Sequence, residues 1–359
     1  MLGHVDHPHT GPNIRRLFRA ALLLGAGLSA IGCVATIDND ARGFGGDDDR
    51  WYTGGWRLQR DLAAGVPDSE RSWLDAGADA VAAHLDLLPA GADEPPGFTT
   101  VSLVAGQQFF TPANLKASTL IEDDRPYAGW LYAGVVRFDT WLDSDDGARR
   151  DVEHSVELDL GVVGPDSYAE QIQSALHSSL VDGQDPEGWD HQLGNEPGIV
   201  LRLSRAARDG YAERAPGGLA ADAISRIGGA VGNVDTHAGL AETVRFGWNL
   251  PRSFDAASGD RRRLLPGGAR GDDEPASLYG FAGADGRLVL RNIFLDGNTF
   301  QDSHSIDKQP LVGSLLYGLA WEHGAFRVAC TRTHLTREFD GQPEGQVFGS
   351  LTVSWARRF

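Results

Sequence analysis

Val152-Glu153-His154-Ser155-Val156-Glu157-Leu158-Asp159-Leu160-Gly161-Val162-Val163 sets the architecture. Val152, Val156, Leu158, Leu160 and Val162 fall on one side of an extended chain. Glu153, Ser155, Glu157 and Asp159 fall on the other, because successive strand side chains point to opposite faces. Acidic and polar residues on an inner face do not suit the core of a sandwich. They suit a barrel with a wet lumen, whose apolar face meets lipid. The expectation is an all-β chain that closes as an antiparallel transmembrane β-barrel.

Alternating segments recur on both sides of this strand. Upstream lie Thr36 to Phe44, Trp51 to Gln59, Thr99 to Phe109 and Trp130 to Trp141. Downstream lie Gly198 to Ala207, Asp222 to Asn233, Thr236 to Trp248, Ser277 to Gly283, Arg287 to Asp296, Val312 to His323, Ala325 to Glu338 and Gln346 to Phe359. Gly232-Asn233, Asp285-Gly286, His323-Gly324 and Asp340-Gly341 read as turns between them. That makes thirteen candidates, whereas single-chain bacterial barrels have even numbers of strands. With both termini periplasmic, the count back from Phe359 puts 249–276 outside, and the count forward puts 164–197 outside. The two agree if Asp222 to Asn233, which carries Arg226 and Gly228-Gly229, is not a full crossing. Twelve strands are therefore expected. Residues 61–97 break the pattern and read as an insertion, weakly helical from Ser69 to Leu88.

Between Gly164 and Pro197 the period changes. Tyr168, Ile172, Leu176 and Leu180 recur every four residues, as on a short amphipathic helix. Ser167 and Glu170 fit a capping box. Glu170, Gln173 and His177 are neighbours on another face. A helix carrying a histidine, set between two strands at the outer surface, is a candidate active-site loop.

The ends of the chain point to export. Arg15, Arg16 and Arg19 precede an apolar run from Ala20 to Val34, the pattern of a signal peptide over residues 1–35. Ala30-Ile31-Gly32-Cys33 approaches a lipoprotein cleavage box. After cleavage at Ala35 one cysteine remains, Cys330, so an intramolecular disulfide is excluded. The net charge of −18 argues against nucleic acid. An alternating last segment that stops on Phe359 looks like the assembly signal of outer-membrane barrels.

These features resemble the outer-membrane lipid A 3′-O-deacylases (LpxR-type). The matching stretches are Asn39-Asp40, Trp51-Tyr52-Thr53-Gly54-Gly55, Gly106-Gln107 with Thr111-Pro112, Asp124-Arg125-Pro126-Tyr127-Ala128-Gly129-Trp130, Gly161-Val162-Val163-Gly164-Pro165, Glu170-Gln171 through His177, Gly188-Trp189-Asp190, Asn195-Glu196-Pro197, and Asn298-Thr299-Phe300 with Asp302-Ser303-His304-Ser305. The resemblance implies a twelve-stranded barrel from 36 to 359, with 164–197 as the active-site loop. It implies calcium-dependent hydrolysis of an acyl ester on lipid A of lipopolysaccharide, by a protein acting as a monomer. It carries catalytic roles onto Asn39, Asp40 and His177, with an acidic residue after the histidine that Asp182, Asp185 or Glu187 supplies.

The residues admit that chemistry. A neutral histidine takes a proton from water near neutral pH. Calcium prefers several oxygen ligands, and Asn39, Asp40, backbone carbonyls and the Thr53 hydroxyl offer them. Thr53 and Gln173 are also candidate substrate contacts. Arg125 either binds a lipid A phosphate or pairs with a carboxylate within a structural loop. Asp302, His304 and Asp307 either line the same mouth or hold a loop together. Adjacent strand residues face opposite sides, so Asn39 and Asp40 need a bulge to share one site, unless one acts through its backbone. Two other classes remain open: a non-catalytic channel or structural barrel, and an outer-membrane phospholipase.

Overall fold

A computed structural model describes residues 32–39, 50–62, 73–84, 96–141, 151–180, 186–210, 218–251, 253–254 and 275–356, without the side chains of 73–75, 98, 176–180 and 356. Twelve strands form among these residues: β1 (Gly32–Asn39), β2 (Trp51–Asp61), β3 (Phe98–Thr111), β4 (Ala128–Trp141), β5 (Asp151–Val163), β6 (Glu196–Gly210), β7 (Leu219–Gly232), β8 (Asp235–Trp248), β9 (Ser277–Asn292), β10 (Leu311–His323), β11 (Phe326–Leu335) and β12 (Gln346–Ala356). Each pairs antiparallel with its neighbours, and β1 closes on β12. Closure leaves no unpaired edge. Among the described residues no helix is long and apolar enough to cross a membrane.

The expected number of strands is present, but the spurious candidate was misplaced. Asp222 to Asn233 is a full strand, β7, paired along its length with β6 and β8. A Cβ on Gly228 would lie 2.6 Å from the Leu203 carbonyl oxygen, so the glycine there reflects close approach between strands. The error lay at Asp285-Gly286. These residues sit inside β9, with Gly286 paired to Gly313 and Leu240, so two expected strands are one. The ladder overrides the turn preference of Asp-Gly. The flanking strand ends, Trp248 and Ser277, are consequently at the lower rim with Gly32 and Ala356, which corrects the expectation that 249–276 leaves the barrel on the outer side. Residues 112–127, 164–180 and 186–195 share the upper rim. The first strand begins at Gly32, ahead of the expected signal boundary at Ala35. The rest of the export segment, Asp40, Asp182, Asp185 and Phe359 lie outside the described residues.

The alternation of the fifth strand holds: Glu153, Ser155, Glu157 and Asp159 are buried inside, and Leu160 is 54% exposed outside. Leu240, Phe246, Trp248, Leu290, Leu315 and Leu319 continue this exposed apolar wall. The lumen is polar and, among the described residues, filled by paired charges and packed rings. Arg57 holds Glu157 through two bonds, at 3.0 and 2.9 Å, and Arg202 pairs with Asp159. Below them Arg245 binds Asp222 and the Pro251 carbonyl, while Phe254 packs on Val104, Val136, Phe138, Ala206 and Ile224. Above them the short helix α3 (Ile293–Asp296) drops Ile293 and Phe294 into an apolar cluster with Tyr52, Phe110, Trp130 and Phe348.

Two longer helices lie outside the barrel. Helix α1 (Trp73–His84), within the expected insertion, sits at the lower rim against β3 and β4. Helix α2 (Ala169–Leu180) sits at the upper rim of the same two strands.

Candidate functional site

Strand parity separates Asp38 from Asn39. Asp38 faces inward, 7% exposed, and accepts the Tyr52 hydroxyl at 2.8 Å. Asn39 therefore turns outward, in register with Gly54 on one side and Gly349 on the other. A bulge interrupts the second strand between Tyr52 and Gly54, leaving Thr53 as the extra residue. Its hydroxyl meets that of Thr111 at 2.7 Å. Parity along the third strand puts Gln107, Phe109 and Thr111 on the outer side, opposite to Gln108 and Phe110. The bulge thus brings Thr53 to the outer face beside Asn39; it re-aims Thr53 rather than a residue of the Asn39-Asp40 pair.

The outer wall is shaped to receive a helix. A Cβ on Gly129 would collide with Ser167 and Ala169, so only glycine lets the loop lie flat on the fourth strand. Gln107, fully buried, accepts the Trp56 indole N–H at 3.1 Å and donates to the Ser167 carbonyl at 2.5 Å. A 3-10 turn, Pro165–Ser167, ends at Tyr168 with φ 57, a left-handed conformation. The Tyr168 carbonyl then accepts the first helical bond from Ile172, at 3.1 Å. The expected capping box is absent, because the Ser167 hydroxyl is buried on Gly129 with no partner.

The helix buries Ala169, Ile172 and Gln173 rather than a stripe led by Tyr168, which is 48% exposed. Ala169 and Ile172 pack with Phe109, Tyr127, Leu115 and Trp189. Trp189 donates its indole N–H to Gln173 at 2.9 Å and packs against Tyr127, ring centroids 5.0 Å apart. Burial pushes the Tyr127 phenol up to about 12. Burial and the nearby Asp190 hold the Glu170 carboxyl above its usual range. His177 is on this helix, one turn after Gln173; its side chain lies outside the described residues.

The structure thus puts Asn39 and Thr53 on the outer side of the wall, with Thr53 only 1% exposed, and fixes Gln173 on a helix seated against the same wall. It does not add Arg125. That side chain is fully buried in the barrel mouth, 3.2 Å from Glu338 and 4.6 Å above the Phe110 ring. In this structure Arg125 pairs with Glu338, a carboxylate of a distant loop, rather than facing the outer surface. His304 is likewise structural, bonded to the Asp124 carbonyl at 2.8 Å. Glu187 is exposed and its N–H bonds the Leu115 carbonyl at 2.8 Å. Among the described residues, no three His, Cys, Asp or Glu side chains cluster to hold a metal. Gln107, Gly129 and Trp189 stood in the sequence only as members of motifs, with no signal of which contact each one makes.

Residues 25–357 match the family model described as outer membrane protein LpxR. Among solved structures, LpxR from Salmonella typhimurium is similar with a TM-score of 0.68 at 18% identity, over 90% of this chain and 99% of that one. The translocator domain of autotransporter NalP from Neisseria meningitidis has a TM-score of 0.40 at 11% identity, over 96% of this chain and 95% of that one. The β domain of the Bordetella autotransporter BrkA has a TM-score of 0.41 at 8% identity, over 91% of this chain and all of that one. No curated protein matches the sequence.

Proposed function

Because this chain belongs to the LpxR family of outer-membrane proteins, we propose that it is a lipid A 3′-O-deacylase, a carboxylic ester hydrolase that removes the 3′-linked acyl chain from lipid A of lipopolysaccharide. The observation that carries this reading is the side of the wall on which the polar groups emerge. Asn39, Thr53 and the helix bearing Gln173 and His177 are outside the barrel at the extracellular rim, and the lumen behind them is filled. A lipid of the outer leaflet reaches that face by lateral diffusion, without leaving the membrane. A solute passing through a pore does not. The filled lumen also speaks against the channel alternative.

In the proposed reaction His177 is the general base. It takes a proton from water as the oxygen attacks the ester carbonyl, and returns it to the sugar oxygen as the carbon–oxygen bond breaks. The products are a free fatty acid and the 3′-hydroxyl. Asn39 and Asp40 would hold calcium; an amide oxygen and a carboxylate are the hard oxygen donors it prefers, and no thiolate is among them. When bound, the cation supplies positive charge for the carbonyl oxygen. Thr53, fixed by Thr111, presents its hydroxyl at the same wall.

The test is purified, folded protein with calcium, given lipid A and, separately, a glycerophospholipid in the same detergent. Release of the 3′ acyl chain from lipid A alone is the expected result. Release from the phospholipid alone would assign the site to a phospholipase.

A further inference from the structure

Resting on that reading of the site, we propose that Trp189 is a positioning residue, orienting Gln173 so that its side-chain amide donates to the ester carbonyl as negative charge develops there. An indole N–H is a donor only, so the group that faces it must be an acceptor. In a glutamine that group is Oε1, and Trp189 Nε1 meets it at 2.9 Å. This bond removes the usual ambiguity of an amide's orientation and presents Nε2, with its two hydrogens, on the other side. Gln173 is 1% exposed, and Nε2 has no partner among the described residues. A buried donor left unpaired in this way requires an explanation. A substrate carbonyl supplies one.

The indole itself cannot swing away. It is 2% exposed, packed on Tyr127, and sits in a 3-10 turn whose exit is held by Leu193 N–H on the Tyr127 carbonyl at 3.0 Å. Gly188, before the indole, passes so near Tyr127 that a Cβ would lie 2.5 Å from the ring. The clamp therefore reaches the helix from a rigid part of the loop, one turn ahead of position 177. Base and donor on successive turns of one helix can address the water and the carbonyl oxygen of a single ester. Side-chain amides serve as such donors in oxyanion holes, where removing one lowers kcat by about 10²–10³-fold.

The experiment compares the parent with Gln173→Glu, Gln173→Ala, Trp189→Phe and the Trp189→Phe/Gln173→Ala double variant, on lipid A with calcium, each checked for heat-modifiable mobility as a folded barrel. Gln173→Glu keeps the size of the side chain and the acceptor for the indole, but replaces the donor; it and Gln173→Ala should lose about 10²-fold in kcat with KM little changed. Trp189→Phe keeps the ring against Tyr127 and should lose about tenfold in kcat. The double variant should be no worse than Gln173→Ala, because the indole acts only through the amide. Parental kcat in Gln173→Glu or Trp189→Phe, or effects that multiply in the double variant, would overturn the proposal while leaving the deacylase reading intact. An inactive parent overturns both.

Discussion

Asp38 accepts the Tyr52 hydroxyl at 2.8 Å on the inner side of the wall, and its neighbour Asn39 consequently faces out. One step along the strand separates a residue bonded inside the lumen from one on the outer side of the wall. Their substitutions should have opposite consequences. Tyr52→Phe leaves Asp38 buried without that donor and should cost about 1–3 kcal/mol, read as a lower urea midpoint for loss of the heat-modifiable form. Asn39→Ala should leave that midpoint nearly unchanged and lower acyl release at least about tenfold, the effect of removing one oxygen donor from the proposed calcium site.

Calcium and proton should both appear in the kinetics. With Asn39 and Asp40 as oxygen donors, a calcium chelator should abolish acyl release and added calcium should restore it. At saturating calcium the rate should rise from mildly acid to neutral pH, because only a neutral imidazole can accept the water's proton. A rate that is flat across this range would remove the histidine base.

Gly129 is where the loop lies on the wall, with Ser167 and Ala169 against its Cα. Gly129→Val should lift the start of the second helix while leaving the ladder between the third and fourth strands intact. The variant should assemble as a barrel yet lose acyl release, and limited proteolysis should cut within 165–180 faster than in the parent.

The filled lumen predicts no pore. In planar bilayers the protein should give no steady conductance. Arg57→Ala strips Glu157 of its two bonds inside the barrel, leaving Arg202 at 4.0 Å as its remaining cation, and should cost about 1–3 kcal/mol.

The sequence carried the barrel well because period two is rigid: Glu153, Ser155, Glu157 and Asp159 could not face lipid, and they do not. It failed where a strong turn pair met a stronger ladder. Asp285-Gly286 reads as a turn, but it lies between two strands that pair straight across it. The diglycine of the seventh strand looked like weakness and is instead close packing, visible only from its neighbours' carbonyls. At the site, periodicity located the helix but not its buried side. The wall selects small Ala169 and Gln173, held by Trp189, over the larger Tyr168. Arg125 shows the same limit: a guanidinium next to an aspartate in sequence pairs with Glu338, more than two hundred residues away.

The central claim is tested most directly by mass spectrometry of lipid A from cells that lack this protein, cells that carry it, and cells that carry His177→Asn at equal levels of folded barrel. Lipid A in cells with the parent protein should lose the mass of the 3′-linked acyl substituent, with fragmentation placing the loss at the 3′ position. His177→Asn lipid A should match that of cells without the protein, with conversion at least about a hundredfold slower, as expected for loss of a general base. Unmodified lipid A in cells with the parent protein, or full conversion by His177→Asn, would contradict the account.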